Sequence, residues 1–136
     1  YMVIYVCKEE KSFTRKKIKR WYKIDKKEIV AIIKNSGATL DKHGEAVAFN
    51  RGYQVSKKDC FILSVKNVDK ITEAVNEILR RIAHEEGVYC GLWIDEGKIY
   101  ADISELIKSE KKAVKIGKAR KQISVYDWKN AACLYL

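Results

Sequence analysis

VDKITEAVNEILRRIAHEEGVYCGLWIDEGKIYADIS, residues 68–104, decides the fold. Val68, Ile71, Val75, Ile78, Leu79 and Ile82 recur at helical spacing, so Val68–Glu86 is expected to be a helix with one apolar stripe. Asp69 and Glu73 stand early, Arg80 and Arg81 late, which suits the helix dipole, and Gly87 ends the run. The pattern then changes to alternation. Val88–Ile94 and Lys98–Ser104 read as a hairpin turning at Asp95-Glu96-Gly97. Leu92 and Ile94 lie on one face of the first strand, Trp93 and Asp95 on the other. On the return strand Ile99, Ala101 and Ile103 oppose Lys98, Tyr100, Asp102 and Ser104. One face of this hairpin is therefore aliphatic and core-like, and the other is aromatic and charged.

Working outward, Met2–Cys7 reads as a strand behind Tyr1, with Met2 as the natural start, and Lys8–Lys17 as a basic loop. Ile18–Ile24 has the pattern of a second strand. Asp25-Lys-Lys-Glu28 has the shape of a capping box, and Ile29, Ile32 and Ile33 continue it as a helix with Gly37 as its C′ residue. Asp41–Gly44 is a turn. Ala46–Phe49, Tyr53–Ser56 and Cys60–Val65 read as strands. After the central hairpin, Ser109 caps a short helix reaching Lys121. Ile123–Trp128 and Ala132–Leu136 form a last hairpin around Lys129-Asn130. Strands arriving as adjacent hairpins predict one α+β domain over residues 1–136. Its sheet should be mainly antiparallel, with about three helices packed on one face.

The net charge of +10 is unevenly placed. Residues 1–27 sum to +7, residues 28–107 to −3 and residues 108–136 to +6. Two basic ends around a mildly acidic middle make one basic face if the ends meet, and such a face favours nucleic acid or an acidic protein surface. In the first end, Arg15, Lys16, Lys17, Lys19, Arg20 and Lys23 interleave with Trp21, a mixture suited to phosphate contact and base stacking. In the second, Lys111, Lys112, Lys115, Lys118, Arg120 and Lys121 surround most of the third helix. A solvated basic surface accounts for the same residues.

Cys7, Cys60, Cys90 and Cys133 stand far apart among apolar neighbours, with no close pair of the kind that binds zinc. They are expected as buried, reduced thiols in strands, in a cytoplasmic protein with no metal. No apolar run is long enough to span a membrane as a helix. No phosphate loop, dinucleotide fingerprint or nucleophile elbow is present, and nothing implies a cofactor.

Trp93, Tyr100 and Asp102 make an aromatic and polar sheet face that can stack a base or hold a small ligand, or simply stabilise the outer side of the sheet. His43, Glu45 and Arg51 are the only trio suggesting general acid/base work on a phosphate ester.

The pattern Gly91-x-Trp93, Gly97-Lys-x-Tyr100-x-Asp102-x-Ser104, a helix, then Gln122-x-x-Val125-Tyr-Asp127 resembles short, mostly uncharacterised proteins of phages and conjugative elements. The resemblance covers Gly87–Trp128, with Gly91-Leu92-Trp93 where those proteins have Gly-Gly-Trp. It implies no catalytic residues. It implies only an accessory protein of a mobile element. Taken with the basic ends, the expected role is stoichiometric binding to nucleic acid or a nucleic-acid-handling complex. A protein-directed inhibitor of host defence, of anti-CRISPR type, and a small nuclease or toxin-like enzyme are the alternatives.

Overall fold

The structure, a computed structural model, describes residues 24–136. The expected strands Met2–Cys7 and Ile18–Ile24 and the basic loop between them, with Arg15, Lys16, Lys17, Lys19, Arg20, Trp21 and Lys23, lie outside the described residues, save Ile24.

The described chain runs α1 (Lys26–Lys34), β1 (Gly37–Leu40), β2 (Tyr53–Ser64), α2 (Val68–Ile82), β3 (Val88–Asp95), β4 (Lys98–Ile107), α3 (Glu110–Ala119), β5 (Ser124–Asp127) and β6 (Ala132–Tyr135). The strands form a single six-stranded sheet in the order β1-β3-β4-β2-β5-β6. Every neighbouring pair is antiparallel. The three helices lie on one face, giving an α+β domain of two layers.

Local chemistry sets the element ends. The capping box at Asp25 forms as expected. Asp25 accepts from the Glu28 amide at 3.0 Å, and Glu28 Oε1 accepts from the Asp25 amide at 2.7 Å. Ser109 caps α3 by accepting from the Lys112 amide at 3.2 Å. The central turn holds Glu96 and Gly97 at φ 48° and 77°, the paired left-handed conformation that matches the twist of a two-residue hairpin.

The α2 stripe is fully used. Ile71, Val75, Ile78, Leu79 and Ile82 are all buried, against Val88, Cys90 and Leu92 of β3, Ile99 and Ala101 of β4, and Ile29 and Ile32 of α1. Burying each such side chain contributes roughly 1.5–3 kcal/mol. A smaller cluster of Val55, Ala113 and Val125 lies under α3. Arg120, just past the end of α3, ties that helix to the sheet. It donates to Glu105 at 2.6 Å and to the Ser56 carbonyl at 3.1 Å.

Several expectations need correction. α2 ends at Ile82 rather than Glu86. Ala46–Phe49 is no strand: Ala46 makes a lone bridge to Leu40, and Phe49 packs edge-on against Tyr89 and Trp128. The two expected strands Tyr53–Ser56 and Cys60–Val65 fall in one twelve-residue strand, Tyr53–Ser64, interrupted by two β-bulges, which leave Lys57 and Cys60 without a partner in the register. Gly37 is not the C′ residue of α1. Ser36 takes the left-handed position at φ 66°, and Gly37 opens β1 at φ 133°. A Cβ on Gly37 would sit 2.4 Å from the Leu92 carbonyl oxygen. Gly37→Ala should therefore cost about 2 kcal/mol in urea unfolding through backbone clash and strain. An unchanged midpoint would contradict this β1–β3 approach. Cys90 is buried as expected and Cys60 half-buried, but Cys133 is exposed, because β6 is the last strand of the sheet.

Candidate functional site

The sheet has two unlike sides, and antiparallel pairing tells which residues share them, because directly opposed residues point the same way. On the helix-free side, one row across the strands is Gly37, Trp93, Tyr100 and Ile62. The next is Thr39, Gly91, Asp102 and Asp59. A third is Tyr89, Ser104 and Ser56.

Trp93, Tyr100 and Asp102 are thus together, as the alternation implied. The two rings stack with planes 8° apart and centroids 5.7 Å apart. Trp93 is 43 % exposed and Ile62 58 %. Asp102 is only 5 % exposed, because its carboxylate leans over Gly91: a Cβ on Gly91 would lie 2.5 Å from Asp102 Oδ1.

A half-buried polar network adjoins it. Gln54 accepts from Thr39 Oγ1 and Trp128 Nε1, each at 3.1 Å, and donates to Ser104 Oγ at 2.8 Å. Phe49, Tyr89, Tyr126 and Trp128 interlock edge-to-face beside it. Asp102 itself is poorly served. Its Oδ1 is enclosed without a hydrogen-bond partner. Burial, with the Asp59 charge adding to it, pushes its carboxyl up to about 7 against the pull of the Ser56 hydroxyl and the Gly91 amide.

The second surface lies on the helix side and at the adjoining end of the sheet. α3 buries Ala113 and Gly117, so Lys111, Lys112, Lys115 and Lys118 stand in solvent, and Lys121 beyond it does too. At the start of α3 an open cleft of about 380 Å³ is lined by Arg51, Gly52, Tyr53, Lys108, Ser109, Asp127 and Lys129. Asp127 is held in its own turn, accepting from the amides of Lys129 and Asn130 and from the Asn130 side chain. None of the cations at α3 or the cleft forms an ion pair with a described residue; those pairs involve Lys26, Lys42, Arg80 and Arg120. Arg120 is therefore a structural tie rather than an open contact.

His43, Glu45 and Arg51 do not share one cleft. His43 is exposed in the turn at Asp41, whose carboxylate accepts from the amides of both His43 and Glu45, whereas Arg51 lines the cleft by α3. The thiols of Cys60 and Cys90 are both pushed up by burial, the opposite of an activated nucleophile. Among the described residues no three His, Cys, Asp or Glu side chains gather as a metal site. No described helix is long and apolar enough to cross a membrane.

The cations Lys108 and Lys129, and the carboxylate Asp59 beside Asp102, were not singled out from the sequence. Lys108 carried no signal of its own, and Asp59 reaches Asp102 only through pairing of distant strands. No family model matches the chain, and no curated protein and no solved structure matches it significantly.

Proposed function

We propose that this chain binds nucleic acid, stoichiometrically and without chemistry, through the exposed face of α3 and the cleft at its start. The observation that supports this is the run of cations there. Lys111, Lys112, Lys115 and Lys118 continue into Lys108, Arg51 and Lys129 with no described carboxylate paired to any of them. Holding like charges together costs free energy unless a polyanion relieves it, and phosphates do so while releasing counterions. The resemblance of the central hairpin to proteins of mobile elements agrees with an accessory role of this kind.

Fluorescence anisotropy with labelled single-stranded and duplex DNA and RNA across a salt series tests the proposal. Log K should fall with log salt at a slope of about −0.7 to −0.9 per phosphate contact. Replacing Lys108, Lys111, Lys115 and Lys118 together by Glu should abolish binding and leave the melting temperature nearly unchanged, since all four are exposed and make no described ion pair. Absence of binding to every probe at low salt would overturn the proposal and leave an acidic protein surface as the partner.

A further inference from the structure

We propose that the helix-free face carries a second binding site, at Trp93, Tyr100, Asp59 and Asp102, which takes a guanidinium-bearing ligand. This inference is independent of the polyanion surface, because α3 lies on the opposite face of the sheet.

The first support is a like-charged pair that the fold does not require. Asp59 and Asp102 oppose each other directly across β2 and β4. Like charges in that relation destabilise a sheet. The two bulges of β2 create it. Val55 points under the helices, so strict alternation would send Asp59 there too. The bulge at Lys57 reverses the alternation and turns Asp59 to the helix-free side. The bulge at Cys60 restores it, so Phe61 and Leu63 again reach the core. Paired bulges that re-aim one side chain are a feature of functional sites.

The second support is that this charge is not compensated. Neither carboxylate pairs with a described cation. The Ser56 hydroxyl has one proton for both carboxylates: it donates to Asp59 at 3.3 Å and also pulls on Asp102. Asp102 Oδ1, in a residue 95 % removed from solvent, has no partner.

The third support is the aromatic stack beside the pair. Tyr100 is two residues from Asp102 on the same face, and it stacks on the exposed Trp93. Beyond Trp93 the row ends at Gly37, which has no side chain to cover the indole. A planar guanidinium can lie on an aromatic ring and donate to a carboxylate at once, which a compact metal ion cannot. Asp59, being exposed, is the contacting carboxylate. Asp102 adds negative potential from beneath, where water screens it little.

The guanidinium could belong to an arginine of a partner protein or to a small free compound, and one titration separates them. The indole N–H resonance of Trp93, assigned with Trp93→Phe, is followed by NMR on addition of methylguanidinium, the peptide Gly-Arg-Gly, or the neutral peptide Gly-Gln-Gly. Both cationic probes should shift it saturably and leave Trp128 in place, and the neutral peptide should not. Asp59→Asn and Asp102→Asn should each weaken binding by about tenfold or more. Lowering the pH below about 7, where Asp102 takes up a proton, should weaken it as well. Tighter binding of the peptide identifies a protein arginine as the ligand, and equal or weaker binding identifies a free compound. No saturable shift, an equal shift with Gly-Gln-Gly, or unchanged affinity in both variants would overturn the proposal.

Discussion

Ile78→Asp is expected to leave the chain unfolded at room temperature. Ile78 is 3 % exposed, in the middle of α2, within the cluster that joins α1, α2 and the central strands. The substitution removes one of the five buried side chains of that helix and puts in their place a carboxylate with no described cation among the core residues. Lost burial of roughly 2–5 kcal/mol and burial of an unpaired polar group at roughly 2–7 kcal/mol together match the roughly 5–15 kcal/mol that holds an ordinary domain. Far-UV circular dichroism and a thermal melt read the outcome. Lys70→Asp is the control, on the exposed side of the same helix, within its first turn, where a negative charge is favourable. A parent-like melt for Ile78→Asp would show that α2 buries a different face.

That α2 could be placed from its sequence, and β2 only in part, has a physical cause. The stripe of α2 repeats within a single element, so local spacing carries all the information. The hairpin at Asp95-Glu96-Gly97 and the caps at Asp25 and Ser109 are equally local. β2 is different. Lys57 and Cys60 are the bulge residues, and with Lys58 and Asp59 they break the alternation that marks a strand, so two short strands were expected where one is found. The insertion of β2 between β4 and β5 rests on pairings such as Ser56 with Ser104, for which no neighbouring residue gives a sign.

The same distinction divides the site residues. Alternation alone put Trp93, Tyr100 and Asp102 on one face. The burial of Asp102 was not legible, because it depends on Gly91 lacking a side chain directly across the strand pair and on Asp59 arriving from β2. Arg120 looked like the other cations of its helix, and only the fold shows Glu105 and the Ser56 carbonyl waiting for it. Cys133 has the apolar neighbours of a core thiol, yet its strand lies at the sheet edge.

Stability should fall as pH rises from the acid side through neutrality, and Asp102→Asn should remove much of that fall. The Asp102 carboxyl is raised by burial from 3.8 to about 7. Between those values the folded chain keeps a proton that the unfolded chain has released, so folding is favoured at the acid end. The advantage is gone once the pH has passed through the folded value. A shift of this size sets a ceiling of roughly 4 kcal/mol, and about 2 kcal/mol or more should be measurable. Glu28 acts in the same direction: burial raises it to about 7 against the pull of the Asp25 amide, so some pH dependence will remain in the variant. Urea unfolding of parent and variant at pH 5.5 and pH 8, at constant ionic strength, isolates the Asp102 contribution as the difference between the two proteins. The variant should be the more stable at pH 8, with the gap narrowing at pH 5.5. Parallel behaviour of the two would mean that the Asp102 charge is compensated in the folded protein. The same experiment reports on the helix-free face. If that face takes a guanidinium group, Gly-Arg-Gly should stabilise the parent at pH 8, where Asp102 is ionised, and should do so much less for the variant, because only a ligand that prefers the folded state shifts the midpoint.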